Sequence, residues 1–471
     1  MNHVNVLVLG AGPCGLGAAR QLHRRGETDW VLVEGNHRVG GLASSFRDPK
    51  GFLWDVGGHV QFSHYDYFDS AMDEFLGADG WNHHERSAWV WMRDRFIPYP
   101  LQHNAHRLPP DEFRRCVDGL MALGQSSAAV PHNFEQFLQS RFGEGLVEVF
   151  MRPYNEKVWA HPVSMLSAGW VGERVAGADV ERLLRNAAAD TDDISWGPNN
   201  TFRYPRAGGT GAIWGACASD LPAEQVMLGD PVVAIDLAGH TCTLRSGREI
   251  RYAHLVSTMP LTELLRMSSS SSLAERAGNG LLRSSTNIVG LGIRGRTPGA
   301  LAGKSWMYFS EPGFPCYRAT VFSNYSDDHV PDPNQYWSLM CEVSESAHRP
   351  VAHDSLVADV VGALRGSRLL PDHHEVVSTW QFRTEYGYPV PSVERDAILA
   401  EVIPHLEQHH VYSRGRFGMW KYEVSNQDHS FMQGVEVVER LLGGTPEMTA
   451  FDADLANSRV HPWPYEGRGR A

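Results

Sequence analysis

The chain has 471 residues, 42% hydrophobic and 21% charged, the make-up of a globular protein long enough for more than one domain. Its 42 basic and 55 acidic side chains leave a formal net charge of −13, which argues against nucleic acid or an anionic membrane as the main partner. No stretch approaches the ~18 uninterrupted apolar residues of a membrane-spanning helix, and the Met-Asn-His start lacks the pattern of a signal peptide. The six cysteines (Cys14, Cys116, Cys217, Cys242, Cys316, Cys341) are scattered and show no metal-ligand spacing, and the histidine pairs read as solvated surface. A cytoplasmic protein with reduced thiols and no metal is expected.

The first element is an apolar strand, Val6 to Leu9, that runs into Gly10-Ala-Gly12-Pro-Cys-Gly15 and then a helix-forming stretch. Gly10 permits a tight turn, Gly12 lets the backbone approach a pyrophosphate at the helix N-terminus, and Gly15 allows close helix–strand packing. A second apolar run, Trp30 to Val33, ends at Glu34, placed to accept hydrogen bonds from an adenosine ribose. Arg38-Val-Gly40-Gly41-Leu42 follows. A glycine pair behind a basic residue at this point is the habit of FAD proteins of the amine-oxidase type, so Arg38, Gly41 and Leu42 join the expected cofactor contacts. Phe52 to Val60 reads as a hairpin-like element whose Gly57-Gly58-His59 lets backbone lie close to a flat ring.

Residues 65–195 read as mostly helical. Phe113, Val117, Leu120 and Met121 recur at helical spacing, as do Phe134, Phe137 and Leu138, then Leu146, Val149 and Phe150. Residues 202–260 return to the flavin unit: Gly208-Gly209-Thr-Gly211 opens a helix, and strands at 231–235, 241–244 and 249–252 form a hairpin set over the adenosine, with Val233 a cofactor contact. A separate strand at 254–260 rejoins the parallel sheet. The serine run 268–272 reads as a flexible loop. Strands at 287–293, 306–309, 317–322 and 336–343, with one helix from Leu356 to Leu364, predict an antiparallel sheet. A strand at 411–412 and an amphipathic helix from Val435 to Leu442 close the flavin unit. The expected architecture is α/β. A discontinuous Rossmann-like FAD-binding domain (1–64, 202–265, 411–445) carries an inserted helical domain for the nucleotide substrate (65–201) and an antiparallel β-sheet domain (266–410).

Several segments are too dense in polar and aromatic residues for plain core. They include Gly-Gly-His-Val-x-Phe-Ser-His-Tyr at 57–65, Met-Arg-Pro-Tyr-Asn-x-Lys-Val-Trp-Ala at 151–160 and Gly-Glu-Arg-Val-Ala at 172–176. Phe-Ser-Asn-Tyr-Ser at 322–326 and Asn-Gln-Asp-His-Ser-Phe-Met at 426–432 are two more. With the N-terminal motif they resemble the UDP-galactopyranose mutases, the eukaryotic type more than the shorter bacterial type, over nearly the whole chain.

The resemblance implies an isomerase that uses flavin without net redox. Reduced FAD attacks the anomeric carbon through N5, a covalent flavin–sugar adduct forms, and the sugar recloses as a furanose. NADPH or NADH serves only to reduce the flavin. Arg174 and Arg318 would grip the pyrophosphate, and Tyr308, Tyr388 and Tyr422 would donate hydroxyls to it. Asn155, Trp159 and Asn199 would contact nucleotide or sugar, with Trp159 on a mobile loop. Phe62, Tyr99 and Gln102 would line the base pocket. His59 would sit beside the flavin, and Arg416, Gly418, Asn426, Gln427 and Ser430 would meet it at a helix N-terminus. His59, Arg174, Arg318 and Arg416 are the expected catalytic set.

One departure bears on the base: relatives place an aromatic residue where this chain has Leu101, which loses a stacking surface and opens the pocket. A GDP-hexose therefore stands beside UDP-galactose as a substrate, in a bacterial enzyme of specialised sugar biosynthesis. The oligomeric state is left open. The competing reading is an FAD-dependent oxidoreductase of the amine-oxidase type, since the fold alone does not separate the two. The Arg174, Arg318 and tyrosine set suits a pyrophosphate and would line an apolar amine pocket poorly.

Overall fold

The computed structural model describes residues 2–123, 130–194, 200–268 and 271–463. Its first sheet is built around the strand Asn2–Leu9, which pairs in parallel with Trp30–Glu34 on one side and Glu249–Ser257 on the other. Val6 and Val8 enter one hydrophobic core and Leu7 and Leu9 the opposite one, so the apolar run is buried on both faces, as a central parallel strand requires. Val226–Leu228 and Val411–Ser413 extend the parallel part, and Val232–Asp236 with Thr241–Leu244 forms the hairpin at the other edge. The expected separate strands at 249–252 and 254–260 are one strand. No turn residue stands between Tyr252 and His254, so Glu249–Ser257 pairs with the hairpin by its first half and with the central strand along its length.

Helix Pro13–Arg24 packs against helix Gln427–Gly443 beneath this sheet. The approach is close enough that a Cβ on Gly434 would lie 2.0 Å from the carbonyl oxygen of Cys14. The C-terminal helix starts earlier than its amphipathic stretch suggests, at Gln427.

The second sheet draws strands from two of the expected segments. Its order is Val376–Pro389, Arg283–Arg294, Tyr336–Glu345, Arg318–Val321, Trp306–Phe309, Ala88–Met92, Arg95–Pro98. The last two strands come from the segment read as helical, and Ala88–Met92 runs parallel to Trp306–Phe309, so the sheet is not purely antiparallel. Arg93 and Asp94 join them with positive φ of 55° and 53°, the backbone of a tight hairpin turn. That turn is usually written with Asn and Gly, which is why the sequence hid it. A two-stranded sheet, Trp81–Glu85 against Thr201–Pro205, brackets the helical insertion. The long strand Val376–Pro389 was not expected: much of it alternates half-buried with exposed residues, and among the described residues its ladder partner is Arg283–Arg294. The serine run lies partly outside the described residues, and helix Ser271–Gly280 begins within it. No helix among the described residues is long and apolar enough to cross a membrane.

Candidate functional site

The glycine turn has the geometry its motif demands. Gly10 has φ +97°, and a Cβ on Gly15 would fall 1.8 Å from the Gly10 carbonyl oxygen. Gly12 and Gly41 face each other backbone to backbone: a Cβ on Gly41 would stand 3.3 Å from the Cα of Gly12. These bare peptides front the N-terminus of helix Pro13–Arg24, a site fit for a pyrophosphate. Glu34 is held ready, with Oε2 accepting from the Ala11 N–H and Oε1 from the Asn36 N–H and Nδ2, all at 2.8 Å. Arg38 lies over the Phe46 ring at 4.3 Å, and Leu42 is half-buried beside the same core. Val233 sits where the hairpin register shifts, with its side chain 45% exposed.

At the far end, Asn426 precedes helix Gln427–Gly443 and its side chain does not cap it. Ser430 is buried one turn on. Gly418 is in tight contact with the Arg414 backbone. Gln427 turns aside and accepts from Trp214 Nε1 at 2.7 Å. His59 carries a buried Nδ1 with no protein partner, and burial lowers its pKa to about 4, so the ring is neutral near pH 7. An orphaned buried imidazole nitrogen beside a bare glycine loop fits a polar planar ring such as a flavin.

Sheet register assembles the polar side of the site. Tyr308 pairs with Arg318, and Arg318 pairs with Glu342, so the three stand in one row on one face of adjacent strands. Glu342 was not among the expected residues. It receives a fork from Arg318 at 2.7 Å twice, the Tyr317 hydroxyl at 2.7 Å and the Gly58 N–H at 3.1 Å. The signal was there to read: a carboxylate set in the mostly apolar run Trp337-Ser-Leu-Met-Cys-Glu-Val343. Burial works against its charge, but the Arg318 guanidinium and these donors hold the carboxyl below its usual range.

Arg416 is fixed by the Gly387 carbonyl at 3.0 Å and Ser425 Oγ at 2.8 Å, and lies 5.0 Å over the Tyr388 ring. Burial lowers its pKa. Arg174 reaches over the Tyr422 ring at 5.6 Å. Among the described residues neither has a carboxylate within ion-pair distance. Among the described residues, Arg318 alone of the three arginines around Tyr388 and Tyr422, whose rings are 5.9 Å apart, has a carboxylate partner. Tyr99 and Tyr308 continue the wall at 5.1 Å.

Other expected residues are placed differently. Trp159 is not on a loop. It ends helix Arg152–Trp159, 1% exposed, wedged against Trp170, Tyr388 and Tyr422, because its large ring is worth more in the core than in solvent. Leu101 is fully buried, in the hydrophobic core that holds most of the helical insertion. Gln102 donates to the Ala176 carbonyl at 2.6 Å, and Asn155 donates back to Met151 in its own helix at 2.7 Å. Phe62 lines a cavity of about 780 Å3 that also touches His64, Arg203 and Asn457. Asn199, with Trp196, lies outside the described residues.

One histidine group was also missed. Asp428 sits between His64, at 2.8 Å, and His429, at 3.2 Å, all three buried and with ligand-type atoms within 4.8 Å. The 2.8 Å contact is a direct histidine–carboxylate bond, and Asp428 uses a different oxygen toward each ring. The charge of Asp428, opposed by burial, is held by the two imidazoles. The strings at 57–65 and 426–432 contain all three, but nothing in the sequence shows that they meet.

A family model described as flavin containing amine oxidoreductase matches residues 13–405. The chain is similar to a solved reduced UDP-galactopyranose mutase, 45% identical over 98% of each chain, with a TM-score of 0.95. It also aligns over 183 residues, at 27% identity, with a Klebsiella pneumoniae protein named "Probable UDP-galactopyranose mutase". That alignment takes 36% of this chain and spans 44% of that protein's length. A putrescine oxidase structure covers 93% of the chain at 15% identity and a TM-score of 0.62, with 99% of its own chain covered, a likeness of fold.

Proposed function

This chain belongs to the flavin-containing amine oxidoreductases and to the UDP-galactopyranose mutases, which are FAD-dependent isomerases, and we propose that it interconverts the pyranose and furanose forms of a nucleoside-diphosphate hexose without net redox. The observation that carries this reading is the excess of positive charge at the tyrosine cluster among the described residues: of Arg174, Arg318 and Arg416, only Arg318 has a carboxylate partner there, Glu342. A diphosphate would complete that balance, whereas a cationic amine would be repelled by it.

Reduced FAD, when bound, supplies its N5 as the nucleophile toward the anomeric carbon. The chain's own residues do the rest. Arg174, Arg318 and Arg416 hold the diphosphate and take up the charge it gains as the bond to the sugar breaks. Tyr308, Tyr388 and Tyr422 donate hydroxyls to the same oxygens. Neutral His59 offers Nδ1 to the ring edge without adding charge, and Trp159 walls the site from water. UDP-galactopyranose is the first substrate to test. A GDP-hexose is the second, on the ground of the leucine at position 101, which is fully buried. NADPH or NADH is the proposed reductant.

The test is anaerobic. Dithionite-reduced enzyme is incubated separately with UDP-galactopyranose and GDP-hexoses, and the products are chromatographed for the furanose. Interconversion that disappears with oxidised flavin supports the mutase and names the base. Substrate-dependent flavin reduction by an amine, with no isomer formed, would move the assignment to an oxidoreductase.

A further inference from the structure

We propose that Asn457 is a positioning residue for Arg174 and, through it, sets the affinity of the site for a nucleoside diphosphate; this rests on the mutase reading above. Asn457 lies near the end of the short C-terminal helix Ala453–Ser458, far in sequence from every motif. Both of its amide hydrogens are committed, to the Glu423 carbonyl at 3.0 Å and the Ala453 carbonyl at 2.7 Å. The amide cannot turn without losing both bonds, so Oδ1 is presented to Arg174 Nη1, at 3.4 Å.

The anchor is itself rigid. Glu423 follows Tyr422, and its carboxylate is forked to buried Arg395 at 2.8 Å twice. Asn457 thus ties three pieces together: the C-terminal helix, the segment carrying Tyr422, and the turn Gly172–Arg174. It also lines the cavity that Phe62 and His64 line.

The choice of side chain has chemical content. A carboxamide orients a guanidinium and leaves its charge unspent. A carboxylate in the same place would neutralise Arg174 and repel a diphosphate. Arg318 already has such a partner in Glu342, whereas Arg174 has a neutral one. Among the described residues Arg174 has no carboxylate within ion-pair distance, and Asn457 orients it without neutralising it.

The experiment titrates FAD-loaded wild type, Asn457→Asp and Asn457→Ala calorimetrically with UDP, GDP and uridine, and measures KM and kcat for the nucleotide sugar. Uridine, which has no phosphate, is the control for general damage. Asn457→Asp is expected to weaken UDP at least about tenfold with uridine unchanged, by charge repulsion. KM should rise by a similar factor, and kcat should fall as well, because Arg174 also takes up charge as the bond to the sugar breaks. Asn457→Ala, which only frees the arginine, should weaken UDP by a smaller factor, again with uridine unchanged. UDP affinity equal to wild type in both variants overturns the proposal, and so does an equal loss of UDP and uridine. A wild type that prefers GDP changes the base and leaves the inference to be read with GDP and guanosine. One that binds no nucleoside diphosphate overturns the function and this inference together.

Discussion

Glu342 meets Arg318 at two points, Oε1 on Nε and Oε2 on Nη2, both at 2.7 Å, and the same Oε1 accepts the Gly58 N–H. One buried acid therefore holds both an arginine of the diphosphate site and the loop that carries His59.

Replacing Glu342 with Gln should cost about 3–5 kcal/mol, because it strands a buried guanidinium. Denaturant melts of the two proteins check this. The folded carboxyl titrates below its unfolded value, so its contribution is complete above about pH 4.5 and is lost as pH falls through the lower folded value. The Gln variant should lack that acid loss.

His59 carries the opposite dependence on its charge. Its pKa is lowered from 6.5 to about 4 by burial, so the unfolded chain binds the extra proton first. Stability should fall as pH drops from about 6.5 to 4, and His59→Gln should flatten that window by up to one proton. Chemical denaturation of the FAD-free protein at several pH values measures it; an unchanged slope would place the ring in water.

Arg416 is a buried cation without a carboxylate partner among the described residues. Arg416→Met should leave stability unchanged or raise it by about 1 kcal/mol, since burying an uncompensated charge is costly. Mutase turnover should drop by about 100-fold or more, as loss of an electrostatic stabiliser does. A variant that is less stable and fully active would contradict both statements.

Trp159 is packed as core, so Trp159→Ala should lower stability by about 3–5 kcal/mol. Trp159→Phe should recover much of that. Thermal melts with and without UDP would show whether the ligand's stabilising shift survives in the Phe variant, as expected for a wall.

A methyl group on Gly434 would stand 2.0 Å from the Cys14 carbonyl oxygen. Gly434→Ala should push the helix Pro13–Arg24 off its partner, cost about 1–3 kcal/mol and weaken FAD retention. Flavin absorbance per protein after gel filtration reads the effect.

Local chain chemistry determined the cofactor half of this protein. The turn from Gly10 to Gly15, the acid at Glu34 and the glycines at 40 and 41 act within one strand–turn–helix unit and its following loop. Their spacing alone therefore sets where a dinucleotide can lie. The strings that carry the family resemblance also named most arginines and tyrosines of the site. What the tertiary structure decided is what those residues touch. Tyr308, Arg318 and Glu342 become neighbours only through strand register, Asp428 meets His64 only when a C-terminal helix docks on an N-terminal loop, and Asn457 reaches Arg174 from 283 residues away. Burial, too, is a property of the assembled core: it put Leu101 and Trp159 inside and left Arg174 beside a neutral partner. Such contacts are made between segments whose separation in the chain carries no information about their separation in space, so only the folded packing could specify them.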